Sequence, residues 1–110
     1  MDPALQKIME TKIDEVIRGS GEILAITKSL QSLISDEEEK VAFGIALGRV
    51  YNSFHYQTRR VLKRNATEQE FSEFVVILAK RAGEIKEALR LGRQRLDGDD
   101  SAIPGKELTG

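Results

Sequence analysis

Arg59, Arg60, Lys63 and Arg64 crowd four positive charges into six positions, directly after Tyr56 and the chain's single histidine, His55. Cations at that density beside an aromatic ring suit a surface that holds nucleic-acid phosphates and stacks on a base. Tyr56, Arg59, Arg60, Lys63 and Arg64 are therefore the candidate nucleic-acid contact. The same residues also have a structural use. They close a predicted helix, where the dipole stabilises cations in any sequence. An antiparallel hairpin with the next helix would set them level with Glu68, Glu70 and Glu73, neutralising much of the strip within the fold. At the hairpin's other end Lys86, Arg90, Arg93 and Arg95 come level with Asp36, Glu37, Glu38 and Glu39. Both ends are thus expected to be charge-complementary, at about a few tenths of a kcal/mol per exposed pair.

His55 shares a helix flank with Asn52 and Arg59, and the same pairing brings it near Glu73. Asn52, His55, Arg59 and Glu73 form a candidate polar groove. A satisfied polar seam between helices is the simpler expectation, because no second catalytic group accompanies the histidine.

Glu70-x-x-Glu73 and Glu84-x-x-Glu87 have the form with which all-α nucleotide pyrophosphohydrolases hold Mg²⁺. Both pairs fall on one predicted helix, ~21 Å apart along its axis, too far for one ion to bridge. Glu10 and Asp14 on the first helix have a different spacing. Exposed pairing of Lys80 with Glu84 and of Glu87 with Arg90 is the plainer use of these residues. Asp97, Asp99 and Asp100 do not open a calcium loop, since Ala102 and Leu108 stand where glycine and glutamate are needed. One histidine and no cysteine exclude HExxH and Cys/His zinc sites. P-loop and nucleophile-elbow patterns are missing too. Gly19-Ser20-Gly21 could offer N–H groups to a phosphate, but Glu22 sets a competing charge there. No catalytic, cofactor-binding or metal-binding residue is expected.

The elements that must position these residues follow from helical periodicity. Asp2-Pro3 caps a first helix to about Arg18, with Leu5, Ile8, Met9, Ile13, Val16 and Ile17 apolar. Gly19-Ser20-Gly21 breaks it, and a second helix, about 21–34, presents Ile23, Leu24, Ile26, Leu30, Leu33 and Ile34. Ser35-x-x-Glu38 reads as a capping box opening a long third helix to about Arg64, with a core stripe of Phe43, Leu47, Val50, Phe54, Gln57 and Val61. Thr67-x-x-Glu70 is a second box. It opens a fourth helix, about 67–96, with Phe71, Phe74, Leu78, Ala82, Ile85, Leu89 and Leu96 inward. Residues 98–110 are expected to be a mobile acidic tail.

The expectation is an all-α bundle: one domain over 1–97, built as a long antiparallel hairpin covered by two shorter N-terminal helices. Forty per cent apolar and 32% charged residues, with two prolines and no apolar run long enough to span a bilayer, suit a soluble helical protein. Absence of cysteine and of a leader pattern suits the cytoplasm, and a net charge of −1 supplies no global attraction to polyanions or membranes. Phe74, Val75, Val76, Ile77 and Leu78, with Ala79, leave one stretch of the fourth helix no polar side. Phe74 to Leu78 are the candidate interface, and a symmetric homodimer is the expected way to cover it. Gly44 and Gly48 cost the third helix about 2 kcal/mol, so something is expected to approach there. The function expected is non-enzymatic association, with itself and with a protein partner. The alternatives are a nucleic-acid accessory factor and, less well supported, a Mg²⁺-dependent hydrolase.

Overall fold

Asp2 Oδ1 accepts from the backbone N–H groups of Ala4 and Leu5, and Pro3 needs no partner at the first helical position, so α1 (Pro3–Arg18) starts where its capping chemistry lies. The computed structural model describes residues 1–102, the last six by backbone alone. After α1 come α2 (Ser20–Ser29), α3 (Gln31–Ile34), α4 (Glu38–Leu62) and α5 (Glu68–Ala102). No strand occurs among the described residues, and the architecture is an all-α bundle.

Gly19 alone separates α1 from α2, with φ −91° and ψ 16°. The expected break is thus a bend of one residue. Both helices pack on α4 and on α5, so together they act as one bent rod along the α4–α5 pair. Three rods give extents of 52 × 25 × 21 Å. Glu38 at the start of α4 meets Arg93 late in α5, and Phe54 stacks on Phe74 with ring centroids 4.4 Å apart. Arg64 just after α4 meets Glu70 in the first turn of α5. These three contacts make α4 and α5 antiparallel.

The core joins Leu5, Met9, Ile13 and Val16 of α1 to Ile23 and Leu24 of α2, Val50 and Phe54 of α4, and Phe74, Ile85 and Leu89 of α5. Four expectations change. The second helix divides at Leu30, and α2 turns Ile23, Leu24 and Thr27 inward, leaving Ile26, Leu30 and Leu33 exposed. On α4, Ala42 and Ala46 are buried where Phe43 and Leu47 were expected. The latter two, with Val61, are half-buried at the edge of the stripe. Small side chains let the N-terminal rod approach the α4 backbone, so alanines form the contact line.

Third, Ser35 does not cap α4. It closes α3 with φ 62° and ψ −127°, its N–H donating to Gln31 O, and Glu37 precedes the first turn without a side-chain cap bond. The box is out of register: α4 begins at Glu38 with Glu37 at the N-cap position, so Ser35 stands two residues ahead of it, and the Glu38 carboxylate is bound by Arg93 instead. The Thr67 box does form, with Glu70 N–H donating to Thr67 Oγ1 and Thr67 N–H to Glu70 Oε1. Fourth, α5 continues through Gly98 to Ala102; one interior glycine costs about 1 kcal/mol and does not by itself stop a helix. Of the expected tail, 98–102 is helical and 103–110 lies outside the described residues.

Candidate functional site

Phe74 of the apolar run is buried and Ile77 and Leu78 are half-buried, but Val75 is 43% and Val76 62% exposed. The N-terminal rod covers one side of the α4–α5 pair, and these valines lie elsewhere. Val75 stands one turn from exposed Phe71, whose ring meets exposed Tyr51 of α4 edge-on at 6.3 Å. One and two turns before Tyr51 on the same α4 face are Gly48 and Gly44, and a Cβ built on either would meet nothing within 4 Å. The expected close approach at this pair is therefore absent among the described residues. It occurs instead at Gly92, where a Cβ would lie 2.7 Å from Leu24 Cδ1 of α2. Sequence reasoning passed over Gly92 because the bulky neighbour comes from a helix 68 positions away.

The expected polar groove does not assemble through hydrogen bonds. His55 is half-buried, with its ring edge-on to Tyr51 at 4.9 Å and to Phe54 at 5.1 Å. Asn52 and Arg59 are exposed on α4. Glu73 is taken by the Met1 amino group and by Gln69 Nε2, which lowers its pKa from the ordinary carboxylate value. It therefore looks toward α1, away from the histidine.

The paired carboxylates are likewise committed. Glu70 forms a two-pronged bond with the Arg64 guanidinium at 2.8 Å on each arm, and together with the Thr67 N–H this draws its pKa from 4.5 down to about 2. Glu87 binds Arg90. Glu84 pairs with Arg81 rather than Lys80. Arg81 is mostly buried and also reaches Glu10 at 3.0 Å and Asp14 at 2.7 Å on α1. Three carboxylates from two helices do converge here, around a guanidinium. Its pKa is raised by the Glu84 bond first and the Asp14 bond second. Among the described residues no group of three or more His, Asp or Glu is disposed to hold a metal ion. This arrangement ties α1 to α5 and gives the hydrolase alternative no support.

Of the candidate nucleic-acid residues, Arg64 is consumed by Glu70. Tyr56 is 56% exposed, and Arg59, Arg60 and Lys63 are exposed and make no ion pair among the described residues. The expected neutralisation of this end fails for three of four cations: Glu70 is bound to Arg64, Glu73 to the Met1 amino group, and exposed Glu68 makes no ion pair among the described residues. At the other end Arg93 does bind Glu38 at 2.7 Å and Glu39 at 3.4 Å.

No family model, curated protein or solved structure matches the chain. No helix among the described residues is long and apolar enough to cross a membrane. The functional reading rests on the surfaces themselves.

Proposed function

We propose that the protein is a non-enzymatic association module that pairs with a second copy of itself through the outer face of α4 and α5. The observation that carries this is the exposed set Tyr51, Phe71 and Val75, continuous with a glycine pair that nothing among the described residues approaches. Interior glycines destabilise an isolated helix by about 1 kcal/mol each, and a helix seated against them would offset that cost. The face is bulky at one end, with Tyr51 and Phe71, and flat at the other, with Gly44 and Gly48. A two-fold axis between the ends lays the bulky half of each copy on the flat half of its partner, the self-complementarity an isologous interface needs.

Light scattering from dilute to high micromolar concentration tests this. The proposal predicts a rise from the monomer mass to twice that mass, and a Val75→Arg variant that stays monomeric with unchanged helicity. A parent chain that remains strictly monomeric at high micromolar concentration would overturn it.

A further inference from the structure

Between Glu39 and Glu68 the chain has no carboxylate side chain, so α4 beyond its first turn carries only positive charge: Lys40, Arg49, Arg59 and Arg60, with Lys63 and Arg64 at its end. Lys40 is paired with Glu37 and Arg64 with Glu70. Arg49, Arg59, Arg60 and Lys63 are exposed and have no ion pair among the described residues. Arg49, Tyr56 and Arg60 follow at intervals of seven and four, the spacing of one helix face, and Lys63 is the left-handed C-cap just beyond them, with φ 59°. They form a stripe roughly 21 Å long at 1.5 Å per residue. Asn52 and Arg59 flank it. On the other flank Arg60 faces Lys7, Thr11 and Lys12 of α1 across a shallow groove. Glu15, which lines the same groove, pairs with Lys12, and Glu68 at the start of α5 is the one exposed carboxylate near this end with no ion pair among the described residues.

Structural needs do not explain this stripe. The helix dipole favours Arg59, Arg60 and Lys63 at the C-terminal end, yet it decays within a turn and leaves Arg49, mid-helix, without a benefit. Arg59, Arg60 and Lys63 gather three like charges at one helix end, which opposes folding slightly. Tyr56 is set among them with more than half its surface in water.

We infer that this face binds single-stranded nucleic acid, with Arg49, Arg59, Arg60 and Lys63 on successive phosphates and the Tyr56 ring stacked on a base. Single strand is preferred to duplex because the aromatic ring sits between the cations, where only an unpaired base can reach it. No base edge is read, so binding is tolerant of sequence. Acidic residues dominate elsewhere and the net charge is −1, so the attraction is local and short-ranged, within a Debye length of about 8 Å at physiological salt. Arg49, Tyr56 and Arg60 lie round α4 from Gly44, Gly48 and Tyr51, while Arg59, three turns from Gly48, stands at the border between the two surfaces.

Fluorescence anisotropy with labelled dT20 and rU20, a 20-base-pair duplex and phosphatidylserine vesicles tests it. Binding to both single strands is expected, weakening about 50-fold between 50 and 200 mM salt if four phosphates each contribute a slope of about 0.7. The combined Arg49→Gln, Arg59→Gln, Arg60→Gln and Lys63→Gln variant should lose it while keeping its circular dichroism. Tyr56→Leu should weaken it roughly tenfold with the salt slope unchanged, whereas Lys80→Gln on α5 should leave it intact. No single-strand binding at 50 mM salt, binding that survives the quadruple change, tighter binding to duplex, or binding to vesicles alone would each overturn the inference.

Discussion

The two ends of α4 were expected to be alike and are not. At its N-terminal end, Glu38 is only 8% exposed and Arg93 reaches over from α5 to hold it and Glu39. At its C-terminal end one cation of four finds a carboxylate, and Arg59, Arg60 and Lys63 are exposed. Levelness along a hairpin brings charges to the same height, but the side-chain direction around each helix decides whether they meet. Glu38 lies on the seam between α4 and α5, whereas Glu73 is held by the Met1 amino group ahead of α1 and pairs with no cation of α4. Each end is tied by one arginine, but the tie at the N-terminal end holds a nearly buried carboxylate, while three cations at the C-terminal end have no ion pair among the described residues.

That contrast can be broken at the N-terminal end with the largest effect. Arg93→Ala strands a nearly buried carboxylate and should cost about 2 kcal/mol in urea unfolding, with Glu38→Gln restoring part of it. Arg81→Met, which frees Glu10, Asp14 and Glu84 from their shared guanidinium, should cost about 1–2 kcal/mol and loosen α1 first, read by hydrogen exchange of its amides. Gly48→Ala should stabilise α4 of the monomer by about 0.5–1 kcal/mol while weakening association. The two signs in one variant separate helix propensity from packing. At the C-terminal end, changing Arg59, Arg60 and Lys63 together to glutamine should leave stability within about 0.5 kcal/mol. The smallest effect is the pH dependence of the single tie there. Glu70 is held near a pKa of about 2 against an ordinary 4.5, so its contribution is present above pH 4.5 and lost as pH falls toward 2. Glu70→Gln should therefore melt below the parent at pH 7, and the difference should close across that window.

Local chemistry was legible in the sequence wherever its partners are local. Asp2-Pro3 and Thr67-x-x-Glu70 cap the helices they precede, and Val50, Phe54, Phe74, Ile85 and Leu89 are buried as their spacing requires. Errors arose where a distant residue intervenes. Glu38 is bound by Arg93 and not by Ser35, Gly92 is approached by Leu24 from another helix, and Ala42 and Ala46 are buried because α4 receives a rod against them. Ile26, Leu30 and Leu33 look like core by periodicity, yet the break at Leu30 leaves them outside, with Leu33 82% exposed. For the charged strip the missed signal was present in the sequence. A stretch from Lys40 to Thr67 without one carboxylate cannot neutralise itself, and Arg49 belongs to it.

Because the chain contains no cysteine, a single introduced thiol reports on the proposed pairing directly. A two-fold axis passing near Gly48 and Tyr51 brings the two copies of Gly48 close enough for a disulfide, which requires Cα atoms within about 7 Å. Mild oxidation of Gly48→Cys at high micromolar concentration should yield a covalent dimer, and adding Val75→Arg should abolish it. A Gly48→Cys chain that cross-links no faster than one carrying Lys80→Cys would contradict the account.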